Sequence, residues 1–247
     1  MKKKTSLLYR ILKIGLKAGF PKYHVAGIEN LPQEPSLYIG NHSQMHGPIA
    51  SEFYFPVKHY TWCIGQVMDW KEAPSYIFHD MASFKPKCTH WFYRLLGHLI
   101  TPLSVLVFKN ADTIAVYKDG RLRSTIKQTL EILDQNISVL IFPEEDKPFN
   151  HILCDFQRRF VDIARYHYRK TGKELLFVPT YLAPRLRTIF IGKPIRYDAK
   201  KPIEEERERL CHYLMEQITE IAVNQPEHTV IPYLNISKKN YPSNLSK

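Results

Sequence analysis

The sequence predicts an α/β fold: a single-domain sandwich of a mixed, largely parallel sheet flanked by helices, preceded by a basic amphipathic helix. Three observations carry that expectation. From Tyr23 onward, short apolar runs alternate with stretches of helical period. Two of those runs end directly on polar residues suited to chemistry, Asn41-His42 and Pro143-Glu144, as strand ends do in α/β proteins. The chain has 247 residues, enough for one substantial core, and it shows no internal repeat.

The elements follow in order. Leu7, Leu8, Ile11, Leu12, Gly15, Leu16 and Ala18 recur at helical spacing with Arg10, Lys13 and Lys17 around them, and Lys2, Lys3 and Lys4 charge the tip. This segment, 1–24, either lies flat in an anionic interface or packs on its own domain. Its apolar run is broken by cations and no small-residue cleavage site follows, so it is expected to be retained. The globular region is expected over 25–225 and a tail over 226–247. Ser36 to Gly40 reads as a strand, and Gly47-Pro48 as a helix start with proline at the first helical position. Trp91 to Phe108 carries Arg94, His98 and Pro102 and is expected to be a buried or interfacial helix pair rather than a span. Thr113 to Tyr117 is a strand, and Leu122, Ile126, Leu130 and Leu133 form a helical stripe closed near Asn136. Ser138 to Phe142 is a third strand, stopped by Pro143. Asp155 is expected to cap a helix burying Phe156, Phe160, Ile163 and Ala164 and ending at Gly172. Leu175 to Val178 and Thr188 to Ile191 are strands. Glu204, Glu205 and Glu206 open a last helix with Leu210, Leu214, Ile218 and Ile221 on one side.

Composition bounds the partners. Hydrophobic residues at 44% exclude a disordered chain, and the formal charge of +11 favours anionic partners. Nucleic acid qualifies on charge alone, but no recognised binding motif is present and none is expected as a partner. The four cysteines, Cys63, Cys88, Cys154 and Cys211, form no CxxC pair, which fits a reducing compartment and no zinc site. The compact, lysine-rich makeup is of bacterial type.

Two clusters could carry chemistry. Asn41-His42-Ser43-Gln44-Met45-His46-Gly47 sits where a strand gives way to a helix, and a histidine there can serve as general base. His42 is also one of eleven histidines and could simply pack. Phe142-Pro143-Glu144-Glu145-Asp146-Lys147 follows another strand and reads either as a cation site or as a solvated turn. No HExxH or comparable spacing marks a metal site, and none is expected. The basic stretch Gln157 to Lys173 is either a solvated face or a grip for an acidic carrier protein.

Taken in order, these pieces resemble the lysophosphatidic-acid and glycerol-phosphate acyltransferase superfamily. Gly27-Ile-Glu-Asn-Leu-Pro32 looks like the family's lead-in, followed by a strand and Asn41-His42. Ile141-Phe-Pro-Glu144 looks like its FPEG block, and Val178-Pro179 and Ile191-Gly-Lys-Pro-Ile195 look like its later strand motifs. The resemblance covers residues 25 to 196. It implies transfer of a fatty acyl group from acyl-coenzyme A or acyl carrier protein, as co-substrate, to a lysolipid or glycerol-phosphate-like hydroxyl, with no cofactor. The basic first helix, the unpaired thiols and the lack of a secretion signal add the expectation of a peripheral site on an anionic, cytoplasmic membrane face. His42 takes the place of the family's base, with Glu144 as the second catalytic position. Asn41, His46, Lys118, Pro143, Glu145 and Lys147 are the substrate-binding candidates.

The sequence departs from the family at two places. The family's aspartate, five positions beyond the histidine, is Gly47, and losing an orienting carboxylate costs orders of magnitude unless something replaces it. Glu52, Asp69, Glu144 and Glu145 are the candidate replacements. The family's FPEGTR reads Phe142-Pro-Glu-Glu-Asp-Lys147, and lysine lacks the bidentate grip of arginine on phosphate. The alternative to an active enzyme is an inactive member of the fold that binds lipid or acyl carrier.

Overall fold

The computed structural model describes residues 6–82, 85–117 and 119–246. Lys118 and the Lys2 to Lys4 cluster lie outside the described residues. The elements are α1 (Leu7–Gly19), β1 (His24–Ala26), β2 (Leu37–Gly40), α2 (His46–Tyr54), β3 (His59–Ile64), α3 (Ala73–Ala82) and α4 (His90–Asn110). After these come β4 (Thr113–Val116), α5 (Leu122–Asp134), β5 (Ser138–Ile141), β6 (Glu144–Pro148), β7 (Cys154–Phe156) and α6 (Asp162–Thr171). The last are β8 (Leu176–Ala183), β9 (Thr188–Ile191), β10 (Ile195–Arg196) and α7 (Ile203–Val223). The expected mixed, mostly parallel α/β architecture is present. The chain divides into two compact units, Met1–Phe20 with Thr61–Gln128, and Pro21–Tyr60 with Thr129–Lys247.

In the second unit the strands run β1-β9-β8-β2-β5, with β10 also on β8. β2 is parallel to both β5 and β8, whereas β9 and β10 run antiparallel to β8. Central parallel strands are covered on both faces, so their sequences are continuous apolar runs rather than alternating ones. Leu37, Tyr38 and Ile39 on β2 and Val139, Leu140 and Ile141 on β5 are accordingly all buried. α7 buries Leu210, Leu214 and Ile218 as its stripe requires. Glu206 of its acidic first turn is not a surface charge: it is buried, accepts the Asp198 N–H at 2.8 Å and pairs with Arg209.

Several local expectations are corrected. α2 begins at His46, two residues before Pro48, which still falls in the first turn where its missing N–H costs nothing. Asp155 does not cap a helix. It lies in β7, accepting the Phe156 N–H, and the basic stretch is α-helical only from Asp162 to Thr171. Glu144 to Lys147 is strand β6, paired antiparallel with β7, rather than a solvated turn. Gly172 ends α6 with φ of 71°, the left-handed position only glycine takes freely.

In the first unit β3 and β4 pair in parallel, with Thr61 opposite Thr113. The expected helix pair over Trp91 to Phe108 is one helix, α4, continuous through Pro102. It buries only one face, with Gly97, Thr101, Ser104 and Val105, and leaves Trp91, Phe92, Leu95, Leu99 and Leu103 exposed. Lys87–Asn110 is long and apolar enough to cross a membrane by length and composition. α1 leaves Leu7, Leu8, Ile11, Ile14 and Leu16 exposed, and the Ser6 N–H donates to Asn110 Oδ1 at 2.9 Å, joining it to the end of α4.

Candidate functional site

The site is assembled by sheet register. Ile39 stands opposite Ile141 on parallel neighbours, so the segments leaving β2 and β5 emerge side by side at the same sheet edge. That brings His42 beside Glu144 across a sequence separation of 102 residues. On the other side of β2, Asn41 is buried and satisfied against β8: its Oδ1 accepts the Leu182 N–H at 2.7 Å and its Nδ2 donates to the Leu182 carbonyl at 3.1 Å. Ser43 Oγ accepts from Asn41 Nδ2 at 2.8 Å, and it too donates to the Leu182 carbonyl.

The loop these bonds hold is strained. Ser43 and Gln44 have φ of 46° and 54°, two consecutive non-glycine residues in the left-handed region. Such conformations cost of order 1–3 kcal/mol each and persist only where the surroundings enforce them. The loop is closed by the Gly47 N–H on the His42 carbonyl at 3.2 Å and the His46 N–H on the Ser43 carbonyl. Gly47 is there because nothing larger fits: a Cβ would stand 2.3 Å from the His42 carbonyl oxygen and 3.2 Å from that of Asn41.

Glu144 is 3% exposed and binds main chain with both oxygens. Oε1 accepts the His42 N–H at 2.6 Å and Oε2 accepts the Cys154 N–H at 2.8 Å. Burial pushes its carboxyl up to about 7, although both N–H donors pull the other way. The carboxylate thus fixes the backbone that carries His42 and does not hydrogen-bond the ring. The Cys154 thiol, raised to about 12 by burial and by Glu144 and Asp146, stays protonated.

The His42 ring lies between two aromatic edges, Phe142 with centroids 5.3 Å apart and Tyr233 at 5.6 Å. Its Nδ1 is buried and makes no hydrogen bond among the described residues. Burial holds the ring below the usual histidine range, so it is neutral at pH 7. The backbone carbonyls of Gln44 and of His42 itself oppose the shift without forming well-aligned bonds.

The other sequence candidates are placed as follows. Pro143 is buried and its carbonyl accepts the Gln157 N–H at 2.9 Å. Glu145 follows Glu144 on β6 and is half-exposed, and Lys147 is exposed. His46 is held below the usual range by partial burial and by Arg185 and Lys238 nearby. Glu52 lies on α2, and Asp69 belongs to the other unit, where it accepts the Lys71 N–H at 2.8 Å. Among the described residues no group of three His, Cys, Asp or Glu side chains is placed to hold a metal.

Sequence reasoning missed the C-terminal segment. Residues 226–246 are folded over the site rather than trailing from it. Tyr241 Oη accepts from Gln44 Nε2 at 2.9 Å, and His228 Nε2 meets the Tyr181 hydroxyl at 2.8 Å. Asn244 is fully buried, its Oδ1 accepting the His228 N–H and its Nδ2 donating to the Ala222 carbonyl. No motif marks Tyr233 or Tyr241. The sequence signal is the largely apolar run from Val230 to Leu234, followed by Ile236.

Fold and site together define an α/β protein with a neutral, half-buried histidine on a strained loop at the carboxyl ends of parallel strands. No family model matches the sequence, and no curated protein does. Among solved structures the chain is similar to the 1-acyl-sn-glycerophosphate (LPA) acyltransferase, PlsC, from Thermotoga maritima. The TM-score is 0.47 and the identity 14%, over 90% of this chain and 84% of that one.

Proposed function

We propose that this protein is an O-acyltransferase of the membrane surface. It moves a fatty acyl group from an acyl-coenzyme A or acyl carrier protein thioester to the hydroxyl of a lysolipid or glycerol-phosphate-like acceptor, with His42 as general base. The observation that carries this reading is the state of His42: neutral by burial, and set by Glu144 and Asn41 on a loop with two consecutive non-glycine residues at positive φ. A base must be unprotonated before it can act, and burial supplies that condition at physiological pH.

In the proposed step the His42 ring takes the proton from the acceptor hydroxyl as its oxygen attacks the thioester carbonyl. Collapse of the tetrahedral adduct forms the ester bond and breaks the carbon–sulfur bond, and the leaving thiolate takes the proton back from the imidazolium. No electrons are exchanged with a third party and no cofactor is needed. Glu144 and Asn41 act through the backbone of the loop.

The exposed apolar faces of α1 and α4, with Arg10, Lys13 and Lys17 on α1, support a peripheral position on an anionic membrane, on its cytoplasmic face. Glu145 and Asp146 directly precede the lone cation Lys147 of the altered block, which disfavours a dianionic headgroup there. Lysophosphatidic acid is therefore expected to be a poorer acceptor than a lysolipid with a neutral or zwitterionic head.

The test presents labelled acyl-coenzyme A and acyl carrier protein with a panel of lysolipids in mixed micelles and identifies the acylated product. Esterified lysolipid from one donor supports the reading. Binding of donor or lipid without any ester product supports instead a fold kept for binding, which the unpartnered Nδ1 of His42 favours. Strong, saturable turnover of lysophosphatidic acid contradicts the stated acceptor preference.

A further inference from the structure

In acyltransferases of the resembled type a carboxylate orients the basic histidine, and here that position is Gly47. Nothing larger than glycine fits it, because a Cβ would collide with the carbonyl of His42 itself. The ring nevertheless has a defined seat. Phe142, leaving β5, meets it edge-on at an interplanar angle of 63°, and Tyr233 meets it at 64° with centroids 5.6 Å apart. Two edge contacts fix the plane of a ring without any hydrogen bond, each worth more than the area it buries.

We propose that Tyr233 is a positioning residue for His42, and that the C-terminal segment closes over the loop to bring it there in place of an orienting acid. This rests on the reading of His42 as the base. The segment is anchored at both ends of the contact. Before Tyr233, His228 is bonded to Tyr181 of β8, and Val230 and Ile231 are buried. After it, Tyr241 accepts from Gln44 of the strained loop and Asn244 is locked onto the end of α7. A strap held only for packing has no reason to contact both the base and the loop that carries it.

The clamp also covers part of the ring. The titratable groups that contact His42 are Glu144 on β6, through the His42 N–H, and Tyr233, with Cys154 on β7 beyond Glu144; His46, with Arg185 and Lys238 near it, follows at the start of α2. Glu144 titrates in the same range as histidine, so the His42 signal is identified by its loss in His42→Ala.

The experiment follows the His42 ring by NMR titration in the full chain, alongside the pH profile of turnover. The variants are Tyr233→Ala and Tyr233→Phe, with His42→Ala used to assign the signal. Tyr233→Ala is expected to raise the His42 titration toward the ordinary value and to lower kcat by about two- to tenfold, with KM little changed. Tyr233→Phe keeps the ring and should restore most of both. A titration and kcat in Tyr233→Ala that match wild type overturn the proposal. So does Tyr233→Phe behaving like Tyr233→Ala, since the clamp is then not the ring. Should Tyr233→Ala fail to fold, Tyr233→Leu tests the same point with bulk retained and the aromatic edge removed. The NMR arm needs no turnover, so a failure of His42 as base appears separately, as wild-type activity surviving in His42→Ala.

Discussion

Restoring the missing acid by Gly47→Asp is expected to damage the protein rather than improve it. Any Cβ at this position stands 2.3 Å from the His42 carbonyl oxygen and 3.0 Å from its carbon, both backbone atoms. Ordinary contact requires about 1 Å more, so the loop or the start of α2 must move. Gly47→Ala isolates that steric effect. Glycine to alanine inside a helix normally stabilises by roughly 1 kcal/mol, whereas overpacking of a closed site costs about 1–3 kcal/mol. With backbone atoms as the colliding partners the crowding outweighs the propensity, and a net loss of up to about 2 kcal/mol is expected for Gly47→Ala, with Gly47→Asp losing more because its carboxylate is also desolvated. Displacing the base by about 1 Å should cost on the order of a hundredfold in turnover. Urea unfolding gives the stability change and the thioester assay gives the turnover. An unfolding midpoint at or above wild type in Gly47→Ala would refute the steric reasoning. A gain of activity in Gly47→Asp would show that the loop accepts the acid.

Two further expectations concern charge. Glu144 titrates at about 7 when folded against an ordinary 4.5, so the folded chain holds this proton more tightly than the unfolded one. Its stabilising contribution is complete below the ordinary carboxylate range and is lost as pH rises through about 7, a swing of about 3 kcal/mol at most. The stability difference between wild type and Glu144→Gln should therefore shrink or reverse from about pH 5 to pH 8, while a flat difference would place the carboxyl at an unshifted value. On α1, changing Lys13 and Lys17 to glutamine should weaken sedimentation with anionic vesicles by about 30-fold, at roughly 1 kcal/mol per charge, and leave zwitterionic vesicles unaffected. Unchanged binding to anionic vesicles would remove α1 from the membrane contact.

How much was legible in the sequence depended on whether the signal was local. Val139 to Ile141 followed by Pro143 announces a buried strand and its end, and Gly172 announces a helix stop, because each is decided within a few residues. His42 was legible as a site candidate because it leaves such a strand. Glu144 was legible as a site candidate through the resemblance, but its burial was not, because that depends on N–H donors at His42 and Cys154 that only the fold brings to it. Pro102 suggested a break in α4, but a missing N–H costs one hydrogen bond and a kink, which a 21-residue helix can absorb. Tyr233 was invisible because a single aromatic contact in a terminal segment has no period and no motif. Gly47 read as a lost aspartate, whereas the structure gives it a positive reason in its close approach to the His42 carbonyl.

The central claim is that His42 is the base, and thiol release from an acyl thioester tests it most directly. The rate is measured on lysolipid micelles with wild type and with His42→Ala, after both are shown to unfold at the same denaturant concentration. General-base catalysis is typically worth about 10²–10⁴-fold, and a loss of that size in His42→Ala is the predicted result. Thiol release at the wild-type rate in His42→Ala would contradict the account, and would leave this loop as a structural element rather than a catalytic one.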